Sequence, residues 1–199
     1  LREQGWEMSD LQKDIYEKKY KLHNESFSEF LTRVSGDNRF VQKAIRDKKF
    51  MPAGRILAGR GLPKLGKKIT YSNCYVLPKI EDNIENIFDT AKYMARTYSY
   101  GGGVGVSISK LRPSGAKVNN AANTTTGATS FMSLYSMVTE LIGMRGRRGA
   151  LMISLDVSHP DIEEFVDIKN DLSKINAANI SVSIDDEFMK AVRDDKEYE

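Results

Sequence analysis

Cysteine is nearly absent: Cys74 stands alone among 199 residues. The chain therefore cannot staple itself with a disulfide, and the small secreted class built on such bridges is excluded. No apolar run approaches the roughly 18 residues that a membrane-crossing helix needs. The opening Leu1-Arg-Glu-Gln-Gly-Trp-Glu is no secretory signal. The expected compartment is the cytoplasm, with no membrane partner. Charge of one sign is missing too, since 30 Lys and Arg against 27 Asp and Glu leave a net +3. Without a basic run the electrostatic footprint of a nucleic-acid binder is lacking. No metal site is expected, and of the two histidines His23 sits in a polar segment and reads as solvent-exposed. What remains is an ordinary globular balance, 40% hydrophobic and 29% charged, enough for one sizeable core.

The densest features lie between Tyr71 and Pro113. Cys74 follows a β-type run (Ile69, Thr70, Tyr71) and precedes Tyr75-Val76-Leu77-Pro78, so it reads as a strand residue near a strand end. Two readings stand for it, a small buried hydrophobe and a reactive thiol. Glu81-Asp82-Asn83-Ile84-Glu85 signals a helix start, with Asp82 placed to accept from the first free amides and Glu85 three residues on. Ile84, Ile87, Phe88, Ala91, Ala95 and Tyr98 then fall at three- and four-residue spacing, an apolar face that wants a partner. Gly101-Gly102-Gly103 breaks the helix, and Gly105 extends the glycine-rich turn ahead of a strand-like run through Val106 and Ile108. Such a cluster lets backbone amides approach a ligand, or serves as a tight turn and nothing more. It is no phosphate loop, because no Gly-Lys-Ser/Thr follows, and Ile108 stands where a dinucleotide fingerprint needs its third glycine.

Around this stretch, residues 1–50 read as two or three short helices, with Ser26 or Ser28 as a cap and breaks at His23-Asn24 and Gly36-Asp37. Met51 to Pro63 reads as a loop punctuated by Pro and Gly, and Ser114 to Gly127 as a polar loop. Phe131, Leu134, Val138, Leu141 and Ile142 predict an amphipathic helix of about four turns from Ala128. Gly143-Met-Arg-Gly-Arg-Arg-Gly149 ends it, either a solvated basic turn or a phosphate holder. Ala150 to Val157 predicts a buried strand, and His159-Pro160-Asp161 opens a helix with proline in its first turn. His159 fits a pre-helix residue better than a catalytic base. Asn179 to Ile184 predicts a further strand, and Asp185-Asp186 caps a last helix. Alternating strands and helices predict an α/β fold with at least partly parallel pairing.

In this order, Ser72-Asn73-Cys74-Tyr75-Val76-Leu77-Pro78, Asp82-Asn83-Ile84-Glu85-Asn86-Ile87-Phe88, Gly101-Gly102-Gly103-Val104-Gly105 and Lys110-Leu111-Arg112-Pro113-Ser114-Gly115-Ala116 resemble the catalytic (large) subunit of ribonucleotide reductase. Arg147-Arg148-Gly149-Ala150, His159 to Phe165 with Lys169, and Asn179-Ile180-Ser181-Val182 with Phe188-Met189 continue the likeness from about Phe50 onward. The phrasing is most similar to the adenosylcobalamin-dependent branch, with a branch served by a metal-cofactor radical subunit as the alternative. Two departures stand out. Ala53-Gly54-Arg55 occupies a loop that commonly carries a hydroxyl residue toward substrate phosphate, and Gly143-Met144-Arg145 replaces a Gln-Gly-Gly approach.

The resemblance implies residues 1–50 as an N-terminal helical region and 51–199 as the first part of a ten-stranded α/β reductase barrel. It implies thiyl-radical reduction of ribonucleotides, with Cys74 as one member of a reducing cysteine pair. Asn73, Cys74 and Gly103 would line the substrate site. Asp82, Asn83, Ile84 and Arg112 would bind a deoxynucleotide or ATP effector at a homodimer interface, for which the apolar face of the helix from Ile84 is the candidate surface. A thioredoxin-like reductant and the C-terminal part of the reductase are the further partners. With a single cysteine the chain alone should be inactive. A non-catalytic nucleotide-binding regulator or interaction domain is the alternative function.

Overall fold

Ser9 and Ser26 decide where the chain first coils. Each accepts a backbone N–H from the third helical residue, Gln12 or Glu29, whose side chain in turn caps the serine's own N–H. In this computed structural model, which describes residues 8–142, 149–171 and 175–198, they open α1 (Asp10–Ile15) and α2 (Phe27–Ser35). A single π turn, Tyr16–Tyr20, follows α1. Gly36 ends α2 at φ 64°, where a residue with Cβ is strained. Asn38 then caps α3 (Arg39–Arg46).

The stretch Met51 to Pro63, expected as loop, instead forms α4 (Gly54–Gly59) and leads into a 3-10 turn at Leu62–Leu65. No side chain caps α4 at its start. At its other end the Arg33 guanidinium takes up the carbonyls of Leu57 and Arg60, a long-range contact that local pattern does not reveal. Tyr16, Phe30, Leu31, Val34, Ile45 and Leu57 form the core of this first unit, which spans Leu1–Asn73.

The second unit, Cys74–Glu199, is built on a four-stranded sheet in sequence order. Its strands are β1 (Cys74–Val76), β2 (Gly103–Ser107), β3 (Leu151–Asp156) and β4 (Ala178–Ser183). All three pairings are parallel, as alternating strands and helices predict. The connections carry α5 (Ile84–Ser99), α6 (Phe131–Leu141) and α7 (Ile162–Asp167), and α8 (Asp186–Asp194) follows β4 under its Asp185 cap. The β-type run at Ile69 to Tyr71 is not a strand; pairing begins at Cys74. Gly103 and Gly105 likewise lie inside β2 rather than in a turn.

Side chains alternate across a strand, and the two faces of this sheet differ. Val104, Val106, Leu151, Ile153 and Leu155 point into one core with Ile87, Met94 and Tyr98 of α5 and Met132 and Tyr135 of α6. Val76 and Met152 on the other face are exposed, so β3 is buried on one side only. Two apolar faces fall elsewhere than their spacing suggests. In α5 the buried line is Ile87, Ala91, Met94 and Tyr98, while Ile84 and Phe88 stay exposed.

In α6 the fully buried positions are Met132, Tyr135, Ser136 and Thr139, with Leu141 exposed and Phe131, Leu134 and Val138 only partly covered. The reason is polar. Tyr135 donates its hydroxyl to the Ile87 carbonyl (3.2 Å), Thr139 donates to the Tyr135 carbonyl (2.8 Å) and meets the Tyr98 hydroxyl (3.0 Å), and Ser136 accepts from Ala177 N–H (3.2 Å). Hydroxyls with partners can be buried, so an apolar pattern alone misplaces the face. Among the described residues no helix is long and apolar enough to cross a membrane.

Candidate functional site

Cys74 opens β1 at the edge of the sheet, and its thiol is exposed. Exposure counts against the first of its two sequence readings, a small buried hydrophobe. It pairs in register with Gly103, the first residue of β2. A Cβ on Gly103 would stand 3.4 Å from Cys74 Sγ and 3.2 Å from the Ala150 carbonyl. Glycine there avoids crowding Ala150 and adds no side chain beside the sulfur. Asn73, the last residue of the first unit, is exposed and accepts from Arg55 Nε at 2.8 Å.

Downstream of β1 the chain builds an ionic pair. Asp82 is not the helix cap; Asn83 is, its side chain accepting from Asn86 N–H at 2.8 Å. Asp82 is thereby left to face Arg112, whose Nε donates to its carboxylate at 2.5 Å and whose Nη2 donates to its carbonyl at 3.3 Å. The third arm, Nη1, donates to the Lys117 carbonyl at 3.0 Å. Both side chains remain about a third exposed. Ile84 follows the pair, 56% exposed. Asp82 and Arg112 are thus brought together, with Asn83 and the exposed Ile84 next to Asp82 in sequence. Such a site can hold an anion through Arg112 and an apolar ring face against Ile84.

Arg112 begins an excursion that the sequence suggests only as a polar loop. It is an antiparallel hairpin: Gly115 N–H donates to Thr125 O (3.0 Å), Thr125 N–H to Ala116 O (3.0 Å) and Val118 N–H to Asn123 O (2.9 Å). Its base rests on two residues that sequence reasoning gave local roles only. Asp161, buried at 7% exposure, accepts from Ser114 N–H and Ala128 N–H. His159 is buried beside it and bridges Leu111 O (2.7 Å) and Asp161 N–H (3.0 Å). The signal that was available is the His-x-Asp spacing before a helix, which proline at position 160 made easy to read as capping alone.

Residues 72–199 match the family described as ribonucleotide reductase, barrel domain. The chain belongs to that family. It is 40% identical over 150 residues to the vitamin B12-dependent ribonucleoside-diphosphate reductase of Mycobacterium tuberculosis, covering 74% of this chain and 21% of that protein. It is 38% identical over 160 residues to the enzyme of the same name from Thermoplasma acidophilum, covering 79% and 20%. Against the ribonucleoside-diphosphate reductase large subunit of Monkeypox virus it is 35% identical over 133 residues, covering 64% and 17%. The chain thus spans about a fifth of the length of the reductases it matches. Among solved structures, the Actinobacillus ureae class Id ribonucleotide reductase alpha subunit superposes with a TM-score of 0.75 at 18% identity, over 94% of this chain and 35% of that one. This likeness shows the fold, and a partial reductase barrel accounts for the parallel sheet. The arginine turn at 143–148 lies outside the described residues.

Proposed function

We propose that the chain is part of the catalytic subunit of a ribonucleotide reductase, contributing one redox cysteine and a site for a nucleotide effector. Family membership is the frame, and the observation that carries the reading is the exposed Cys74 thiol in register with Gly103. Removing a ribose 2'-hydroxyl as water takes two electrons and two protons. Two thiols supply both on closing to a disulfide, while a thiyl radical elsewhere in the enzyme takes and returns the 3'-hydrogen. Cys74 would give one of the two sulfurs, with Gly103 leaving room for the sugar and Asn73 adjacent in sequence. The second sulfur must come from another cysteine, since this chain has one.

The names of the bacterial and archaeal relatives favour adenosylcobalamin as the radical source over a metal-cofactor subunit. When bound, that cofactor would supply the radical, and both His159 nitrogens are already engaged within the fold. Asp82, Asn83, Ile84 and Arg112 would bind a deoxynucleotide, Arg112 meeting phosphate with its remaining donors and Asp82 accepting from ribose hydroxyl. The exposed Ile84 and Phe88 extend that site along α5 and suit a homodimer surface. A thioredoxin-like protein would reduce the disulfide.

The test is Cys74→Ser in the complete reductase. Turnover should vanish while dTTP binding persists, and a Cys74→Ser enzyme that turns over normally would sink the redox assignment. The Asp82–Arg112 pair also suits a second reading, a nucleotide-binding regulator without chemistry. That reading predicts dTTP binding with no second thiol able to form a mixed disulfide with Cys74.

A further inference from the structure

The residues 112–127 leave the core at Arg112 and return at Ala128, and both stems end on one buried carboxylate. Asp161 Oδ1 and Oδ2 accept from Ser114 N–H at 3.0 and 3.2 Å, and Oδ2 also accepts from Ala128 N–H at 3.1 Å. Gly127 makes this approach possible. It sits at φ 92°, and a Cβ there would lie 2.7 Å from Asp161 Oδ2 and 2.7 Å from Ser114 N.

His159 completes the base. A carbonyl can only accept and a backbone amide can only donate, so Nε2 carries the proton toward Leu111 O and Nδ1 accepts from Asp161 N–H. The ring thus fastens the residue before Arg112 to the residue whose side chain holds Ser114. Above the base, the Lys117 carbonyl on the hairpin's first strand receives Arg112 Nη1. Arg112 is therefore held from below through Leu111 and from above through the hairpin, and it meets Asp82 only where those two supports place it.

We propose that Asp161 is a positioning residue for the nucleotide site: it clamps both stems of the 112–127 hairpin and so sets the Arg112 guanidinium against Asp82. The inference deepens the effector-site reading and rests on it for its ligand, but the clamp itself is readable without a nucleotide. Charge-assisted bonds from backbone amides to a buried carboxylate are strong, and their loss exposes the amides they held.

The experiment is amide hydrogen exchange by NMR on the whole chain, with Asp161→Asn and Gly127→Ala compared to the parent. Gly115, Val118 and Thr125 amides report the hairpin, Arg112 Nε–H reports the ion pair, and the β3 and β4 ladder amides report the sheet. Asp161→Asn keeps the shape but presents an NH2 where one acceptor was, and Gly127→Ala wedges the same joint from the other side. Both should speed exchange at the hairpin and at Arg112 Nε–H by roughly tenfold or more, with the ladder unchanged. dTTP affinity should fall by about the same factor. Three results overturn the proposal: hairpin protection unchanged in both variants, a loosened hairpin with Arg112 Nε–H unmoved, or equal loosening of hairpin and sheet in both. If the parent chain itself binds no dTTP, the effector reading fails separately, and the exchange results alone decide the clamp.

Discussion

Two arginine–carboxylate pairs, one in each unit, are similar in length and opposite in use. Arg33 Nε meets Glu25 at 2.6 Å with side chains 10% and 8% exposed, whereas Arg112 Nε meets Asp82 at 2.5 Å with side chains 38% and 30% exposed. Arg33 spends every N–H it has: Nε and Nη2 on Glu25, Nη2 again on Tyr20 O, and Nη1 on Leu57 O and Arg60 O. Its face also lies over the Phe30 ring at 5.4 Å from the centroid. Arg112 makes three such bonds, which leaves two of its five donors without a partner among the described residues. A guanidinium with nothing left to give is a fastener, and one that keeps donors to spare can take a ligand.

Breaking each pair should separate the roles. Arg33→Ala strands a buried Glu25 and three carbonyls, so the helical unit should lose about 3–5 kcal/mol, read as earlier chemical unfolding of its helices. Arg112→Ala should weaken dTTP binding by about 1.5–3 kcal/mol, roughly ten- to a hundred-and-fifty-fold, measured by titration calorimetry. The same Arg112→Ala should cost the fold only about 0–1 kcal/mol in thermal denaturation, since a pair this exposed is screened by solvent. If Arg112→Ala unfolds the sheet unit as Arg33→Ala unfolds the helical one, the contrast is lost.

The smallest effect concerns pH. Burial pushes the phenols of Tyr98 and Tyr135 above their ordinary 10.0. The folded state therefore favours their neutral forms, a contribution fully present below pH 10 and lost as pH rises through the folded values. Replacing both by Phe should flatten the alkaline fall in stability relative to the parent, and a fall of identical steepness would rule the phenols out as its cause.

Much of this was legible in the residues. The parallel α/β order follows from strands alternating with helical periods, and Ser26 and Asp185 cap where short polar side chains precede apolar runs. The grouping of Asp82 with Arg112, 30 residues apart, came from family likeness. Spacing has no access to it, because the partner of a charged side chain is chosen by tertiary packing. Asp82 looked like a cap for that reason, although Asn83 one position on does the capping. The buried face of α6 was misread because Ser136 and Thr139 are polar by composition and satisfied in place. Asp161 was invisible as an anchor because its donors, Ser114 and Ala128, are backbone groups more than 30 residues away.

The account turns on Arg112 being open to a nucleotide, and the mass of the chain in solution with and without dTTP tests that most directly when Arg112→Ala is run beside it. The parent should bind dTTP and shift toward a dimer, and Arg112→Ala should do neither. A parent chain whose mass and binding heat ignore dTTP, or an Arg112→Ala chain that responds as the parent does, would contradict it.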